Sequence, residues 1–407
     1  MTLNRRMLVI AASCAALAFA AAPAKAEKKY GPGVTDTEIK IGNINPYSGP
    51  ASAYGAIGKA IGAYFDKVNA EGGVNGRKIK YISLDDGYSP PKAVEQARRL
   101  VEQEEVLLIF QSLGTPSNTA IHQYMNDKKV PQLFIASGAT KWNDPQHFPW
   151  SMGWQPNYQT EARIYARYIL DNIKDPRIAV LYQNDDYGKD YLTGLRDGLG
   201  EKADRLIVAM KSYETTDPTV DSQIVALRAS DANVFVNVTT PKFASQAIRK
   251  VYDIGWKPVH FLNNVSTSVN AVLQPAGLEK AVGVISSYYL KDPTDPQWQG
   301  TKAYQDWLDW MKKYNPSADI GNTFNAYGYT VAQNMAYVLE QCGDDLTREN
   351  VMKLAASIKG LELPMLLPGI KISTGPSDYA PIKQMQLMKF NGRSWDLFGP
   401  VLSAESS

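Results

Sequence analysis

Short runs of Val, Ile and Leu alternate with helix-length amphipathic stretches along most of this chain, and that alternation narrows the fold class more than any other feature. The first runs are 39–44 (IKIGNI), 79–84 (IKYISL), 106–110 (VLLIF) and 132–136 (QLFIA). A second set follows at 177–182 (RIAVLY), 205–210 (RLIVAM), 234–238 (VFVNV) and 259–262 (VHFL). Helical patterns lie between them at about 55–70, 91–104, 117–128, 159–173, 188–200, 220–230 and 242–254. Apolar strands that alternate with helices predict parallel sheets covered by helices. Gly72-Gly73 and Asn75-Gly76 punctuate the first return from helix to strand, as turn residues should.

The two sets read as one unit used twice. In each, the third strand is followed by a polar turn and then Thr-Pro, at Thr115-Pro116 and Thr240-Pro241. Threonine caps helices well, and proline suits the first helical position, where a missing N–H costs nothing. Both positions should therefore open a helix at the carboxyl end of a sheet, where open α/β sheets bind ligands. The echo predicts two similar lobes facing a common cleft. After residue 285 the pattern changes. Tyr304, Trp307, Leu308 and Met311 fall at helical spacing and read as a stripe packed on a core. A second long helix fits 325–341, and 385–401 reads as a hairpin turning at Asn391-Gly392.

The first 26 residues read as a secretory signal peptide. Arg5 and Arg6 precede a 15-residue apolar run at 8–22, and Ala24-Lys25-Ala26 supplies a small-x-small cleavage pattern. A run of that length is short of the roughly 20 residues a membrane span needs. The mature chain is expected to start at Glu27, leave the cytoplasm and stay soluble; the Arg pair is also loosely compatible with twin-arginine export. About 380 mature residues exceed one ordinary core, so two domains are the default. Without Arg5, Arg6 and Lys25 the chain carries 40 basic against 41 acidic side chains. That balance argues against a nucleic-acid or electrostatic membrane partner. Cys14 leaves with the signal and sits inside the apolar run rather than after it, which speaks against a lipid anchor. Cys342 is then alone, so no intrachain disulfide is expected and stability must come from core size.

Catalytic chemistry is hard to find. His122, His147 and His260 are far apart, no pair of cysteines or HExxH motif occurs, and no G-x-G-x-x-G or P-loop follows a strand. Gly55, Gly58 and Gly62 lie on a predicted helix and read as packing positions. Ser89-Pro90-Pro91-Lys92 matches S-x-x-K without its companion motifs. Asp85-Asp86 ends a strand before a helix and reads as a turn or cap before it reads as a catalytic pair. No cofactor or metal is expected.

Segments 32–42 (PGVTDTEIKIG), 48–55 (SGPASAYG), 72–81 (GGVNGRKIKY), 186–199 (DYGKDYLTGLRDGL) and the 385–401 ending give the chain a specific likeness. In that order and spacing it resembles the periplasmic solute-binding proteins of the Leu/Ile/Val-binding family, which feed ABC importers. The resemblance implies two three-layer α/β/α lobes joined by three hinge crossovers, placed here near residues 157, 285 and 360. Residues 27–157 with 285–360 would form the first lobe, and 158–284 with 361–407 the second. It also implies a ligand carboxylate held by Gly114 and Thr115 after the third strand and by Gly138 and Thr140 after the next, with Tyr54 lining the cleft. Helix N–H groups and hydroxyls suit an anion, although Thr115 could equally do no more than cap its helix. In the second lobe the family's amine-binding acid is replaced at Asn263-Asn264, and its tyrosine falls near Thr239-Thr240. Trp142, Trp154, Tyr158 and Tyr187 fall where they could reach the cleft. An amide cannot neutralise an ammonium, so an aromatic or other organic acid competes with a branched-chain amino acid as ligand. The expectation is a monomeric, non-enzymatic, periplasmic binding protein that delivers a carboxylate solute to an inner-membrane ABC permease. A ligand-sensing subunit and, further off, a secreted α/β hydrolase are the alternatives.

Overall fold

A computed structural model describes residues 28–403; the signal segment and its cleavage site lie outside them. Two parallel sheets organise the chain. The first has five strands in spatial order Lys78–Asp85, Glu38–Asn45, Leu108–Phe110, Gln132–Ile135 and Ser151–Gly153. The second begins in the same way, with Ile207–Tyr213, Ile178–Gln183, Val234–Val238, Val259–Leu262 and Ile285–Tyr288. In chain order each sheet reads second, first, third, fourth, fifth, so the duplicated unit of the sequence is a duplicated topology. The second sheet is extended by an antiparallel hairpin, Gln384–Phe390 and Trp395–Ser403.

The strands follow from the apolar runs. Ile41 pairs with Leu108 and Phe110 with Leu133, while Val180 and Phe261 flank Val236. All of these side chains are buried, as strands covered on both faces require. Two strands of these sheets are not visible in the sequence. Ser151–Gly153 is only three residues long. Ile285–Tyr288 carries Ser286 and Ser287 fully buried inside the sheet, so its polarity hides it.

The helix Gly55–Ala70 packs on the long helix Thr323–Cys342. Lys302–Tyr314 packs beside it, with Tyr304, Trp307 and Met311 buried as a core stripe. The helix Tyr158–Asn172, which follows the last strand of the first sheet, lies along Asp186–Leu199 beside the second sheet. Among the described residues no helix is long and apolar enough to cross a membrane. Cys342 is a free, buried thiol whose pKa burial pushes up to about 12.

The capping expected of the two threonines is not observed. Gly114, not Thr115, occupies the N-cap of Thr115–Asp127, and Thr240 sits at the N-cap of Pro241–Asp253 without a capping bond. Both hydroxyls are drawn instead to neighbouring hydroxyl groups across the sheet ends.

Candidate functional site

The carboxyl ends of the two sheets face one cavity. The first sheet contributes Leu113, Gly114, Thr115 and Ala136 from the loops after its third and fourth strands. The second contributes Thr240, Asn264 and Val265 from the matching loops, and Tyr187 from the first turn of Asp186–Leu199. Seven tyrosines line the space: Tyr54, Tyr88, Tyr158, Tyr187, Tyr288, Tyr289 and Tyr327. Phe324 adds a further ring, 5.1 Å from that of Tyr54. None of the lining residues carries a charged side chain.

Thr115 is the polar centre of the first wall. Its Oγ1 lies 2.7 Å from Ser137 Oγ. Ser137 Oγ already accepts from Trp142 Nε1 at 2.9 Å and from Ala139 N at 3.2 Å. Its lone pairs are then occupied, so its own proton goes to Thr115. The Tyr158 hydroxyl stands beside both residues. At least one proton of the Thr115–Tyr158 pair is therefore left for an acceptor in the cavity. The 13-residue helix Thr115–Asp127, whose second residue Pro116 has no N–H, begins at the same wall. Two glycines make room. Gly114 has φ 99°, and a Cβ on it would stand 2.4 Å from the Tyr88 ring. A Cβ on Gly138 would stand 2.4 Å from Pro156 O and 2.7 Å from the Tyr158 ring.

The second wall is neutral at its surface and has ionisable carboxyl groups one layer behind. Thr240 N donates to Tyr213 OH at 3.0 Å, and that hydroxyl donates to Gln183 Oε1 at 3.0 Å. Asn263 is structural, its amide donating to the carbonyls of Asn237 and Thr239 at 2.9 Å. Asn264 lines the cavity, and behind it lies Glu161, from the helix Tyr158–Asn172, with no exposed surface. Glu161 Oε1 accepts from Asn264 N at 2.8 Å, and Oε2 accepts from Asn264 Nδ2 and from Tyr191 OH, the latter at 2.5 Å. Tyr165 OH also bonds Oε1. Burial pushes the Glu161 pKa up to about 7 against these hydrogen bonds. Asp185 is a second carboxylate behind the wall, pushed up to about 6 by burial, with its oxygens on Gln183 Nε2 and Gly188 N.

Six residues expected at the site from the sequence meet in this cavity: Tyr54, Gly114, Thr115, Tyr187, Thr240 and Asn264. Three do not line it. Gly138 lies beneath the Tyr158 ring. Thr140 turns away, its hydroxyl donating to Asp190 at 2.9 Å and its N–H at 2.8 Å. A half-buried carboxylate outcompetes the cavity for those donors. Trp154 is fully buried behind the wall, with Nε1 on Asn334 Oδ1 at 3.0 Å and its ring edge-on to Tyr327. Trp142 serves Ser137, and Tyr158 reaches the cavity. Sequence reasoning missed Tyr88, Tyr288, Tyr289, Phe324, Tyr327 and Glu161. Phe324 and Tyr327 stand at i, i+3 spacing in the first turn of a legible helix, which was the available signal.

Other candidate groups have structural partners. Asp85 clamps the turn through Tyr47 N, Ser48 and Gly87 N. Asp86 holds Ser117 and Tyr88 N. Among the described residues no group of three His, Cys, Asp or Glu side chains is placed to hold a metal ion.

Two like-wound parallel sheets with a cavity free of charged lining residues between their carboxyl ends define a two-lobed solute-binding architecture. Residues 38–394 match the family model described as periplasmic binding protein, and the chain belongs to that family. It is 25% identical over 337 residues to Leu/Ile/Val-binding protein homolog 7 of Brucella abortus (strain 2308), covering 78% of this chain and 79% of that one. Its fold matches that of a branched chain amino acid ABC transporter protein from Thermus thermophilus with bound valine, at TM-score 0.81 and 14% identity, over 91% of this chain and 97% of that one. It also matches a fatty acid ABC transporter substrate-binding protein from Thermomonospora curvata, at TM-score 0.77 and 22% identity, over 93% and 97% of the two chains.

Proposed function

We propose that this protein captures a small carboxylate-bearing solute, preferentially an aromatic or other organic acid, between two lobes and presents the closed form to the permease of an ABC importer. In this reading it works in the periplasm after cleavage behind Ala26, and it carries its solute without transforming it. Two bodies, one built on each sheet, move about crossovers near 157, 285 and 360, of the hinge kind; the strand Ile285–Tyr288, expected in the first body, belongs to the second because it pairs with Val259–Leu262 and Gln384–Phe390. The observation that carries the reading is the asymmetry of the cavity. Donors gather at Thr115 and the helix start behind it, while every other wall is ring and neutral polar surface. An anion at one end and an apolar ring body match that distribution.

A branched-chain amino acid is the second reading. The name of the Brucella relative and the valine bound to the Thermus protein favour it, and Glu161 supplies a negative charge one layer behind Asn264. A thermal-shift screen of amino acids, amides, aromatic acids and short aliphatic acids separates the two. A ligand that binds only the native state raises the melting temperature by mass action. The first reading expects shifts from aromatic acids that exceed those from leucine or valine. Shifts from leucine and valine alone would select the second, and no shift from any carboxylate would remove both.

A further inference from the structure

We propose that Glu161 is a positioning residue that fixes the Asn264 amide with its oxygen toward the solute, so that the site selects acids carrying a neutral hydrogen-bond donor, such as a ring hydroxyl, at the end remote from the carboxylate. The proposal rests on the cavity being the solute site.

An asparagine amide has a donating end and an accepting end, and only one can face a carboxylate oxygen. Here Nδ2 faces Glu161 Oε2, and the backbone N–H of the same residue anchors Oε1 at 2.8 Å. Tyr191 donates to Oε2 from the other side. Oε2 thus serves two donors, and the amide oxygen has to point away from it. Asn264 is 2% exposed and lines the cavity. Among the described residues its Oδ1 accepts no hydrogen bond, the side-chain contacts of Asn264 all being made by Nδ2. A second polar atom of the same wall also lacks a partner. The Tyr187 hydroxyl is buried without a partner and lines the same cavity.

A buried acceptor that a ligand leaves unpaired costs more than a made bond returns. An unsubstituted acid would seal Asn264 Oδ1 into a dry wall with nothing to accept. A hydroxyl donates to it and keeps lone pairs that Tyr187 can use. An ammonium would also donate, but the lining offers it no counter-charge at contact, and desolvating a charge without one is costly. The neutral donor is the better match. Thr115 stands in the first-sheet wall and Asn264 in the second, which puts carboxylate and donor at opposite ends of the solute.

Calorimetric titration of the full mature protein with benzoate, its three monohydroxy isomers and leucine tests the proposal. The best hydroxybenzoate should bind about tenfold more tightly than benzoate. In Asn264→Leu that ratio should fall to about one. In Glu161→Gln, whose amide can offer Asn264 a donor as well as an acceptor, the ratio should fall at least threefold with benzoate affinity held within about twofold. A lesion that merely loosened the fold would weaken both acids together. Should Glu161→Gln fail to fold, Asn264→Leu alone decides. Equal binding of benzoate and all its hydroxy isomers to the parent protein would overturn the proposal and leave the cavity reading standing. So would an unchanged ratio in the variants. Binding of leucine alone would assign the donor to an ammonium and overturn it, and binding of nothing in the panel would overturn the cavity reading with it.

Discussion

Tyr54→Phe isolates the coupling between solute and lobe closure. Tyr54 lies where the helix Gly55–Ala70 begins, beside the first sheet, and its hydroxyl donates to Val265 O at 3.0 Å in the loop after the fourth strand of the second sheet. The ring is 6% exposed and packs on Phe324. Phenylalanine keeps that packing and removes one bond between the two halves. A neutral hydrogen bond is worth about 0.5–1.5 kcal/mol. In an open form both groups would meet water, so the loss falls on the closed form alone. The apparent dissociation constant should therefore rise about 2- to 12-fold, mostly through faster dissociation, with the melting temperature of the free protein almost unchanged. Calorimetry gives the affinity, and stopped-flow fluorescence of the buried aromatic residues gives the rate. Unchanged affinity and dissociation rate would show that this contact plays no part in closure. A large drop in melting temperature of the free protein would show that it serves folding instead.

Thr115→Val should weaken carboxylate binding roughly 10- to 100-fold, the value of a hydrogen bond to a charged group. Thr140→Val should weaken it less, because Thr140 is spent on Asp190; equal effects would place both hydroxyls on the ligand. Gly138→Ala should cost about 1–3 kcal/mol by overpacking and push the Tyr158 ring into the cavity, which thermal melts and titration would report together. His260 is buried and its pKa is pushed down to about 3. The unfolded chain binds that proton near pH 6.5 and the native protein does not, so stability is lost as pH falls from about 6.5 toward 3. Relative to His260→Gln, the parent should lose about 1.4 kcal/mol per pH unit in that window. A difference that does not vary with pH would mean the imidazole is charged in the native state.

The alternation of apolar runs and helices carried most of the architecture, because parallel strands covered on both faces must be continuously apolar. The Thr-Pro echo located both sheet ends. Its physical basis differed, since both hydroxyls bond other hydroxyls and neither caps its helix. Thr140 shows the limit of spacing in a loop. Three residues from Ser137, the chain winds into the short turn Thr140–Trp142, and which way that turn sends its hydroxyl depends on Asp190, 50 residues on. Glu161 was illegible for a related reason. A lone glutamate on a helix is ordinarily solvated, and only the fold brings Asn264 from 103 residues away to meet it. Tyr165 at i+4, aimed at the same carboxylate, was the one local sign.

The most direct test of the account is a side-by-side calorimetric titration of the purified mature chain with leucine, valine, benzoate and hydroxylated aromatic acids at one pH and salt concentration. Without a charged group in its lining, the cavity should bind one equivalent of an aromatic acid at least as tightly as leucine. Tight binding of leucine or valine, with no heat from any aromatic acid, would contradict the account and make Glu161 the counter-charge of an amino-acid site.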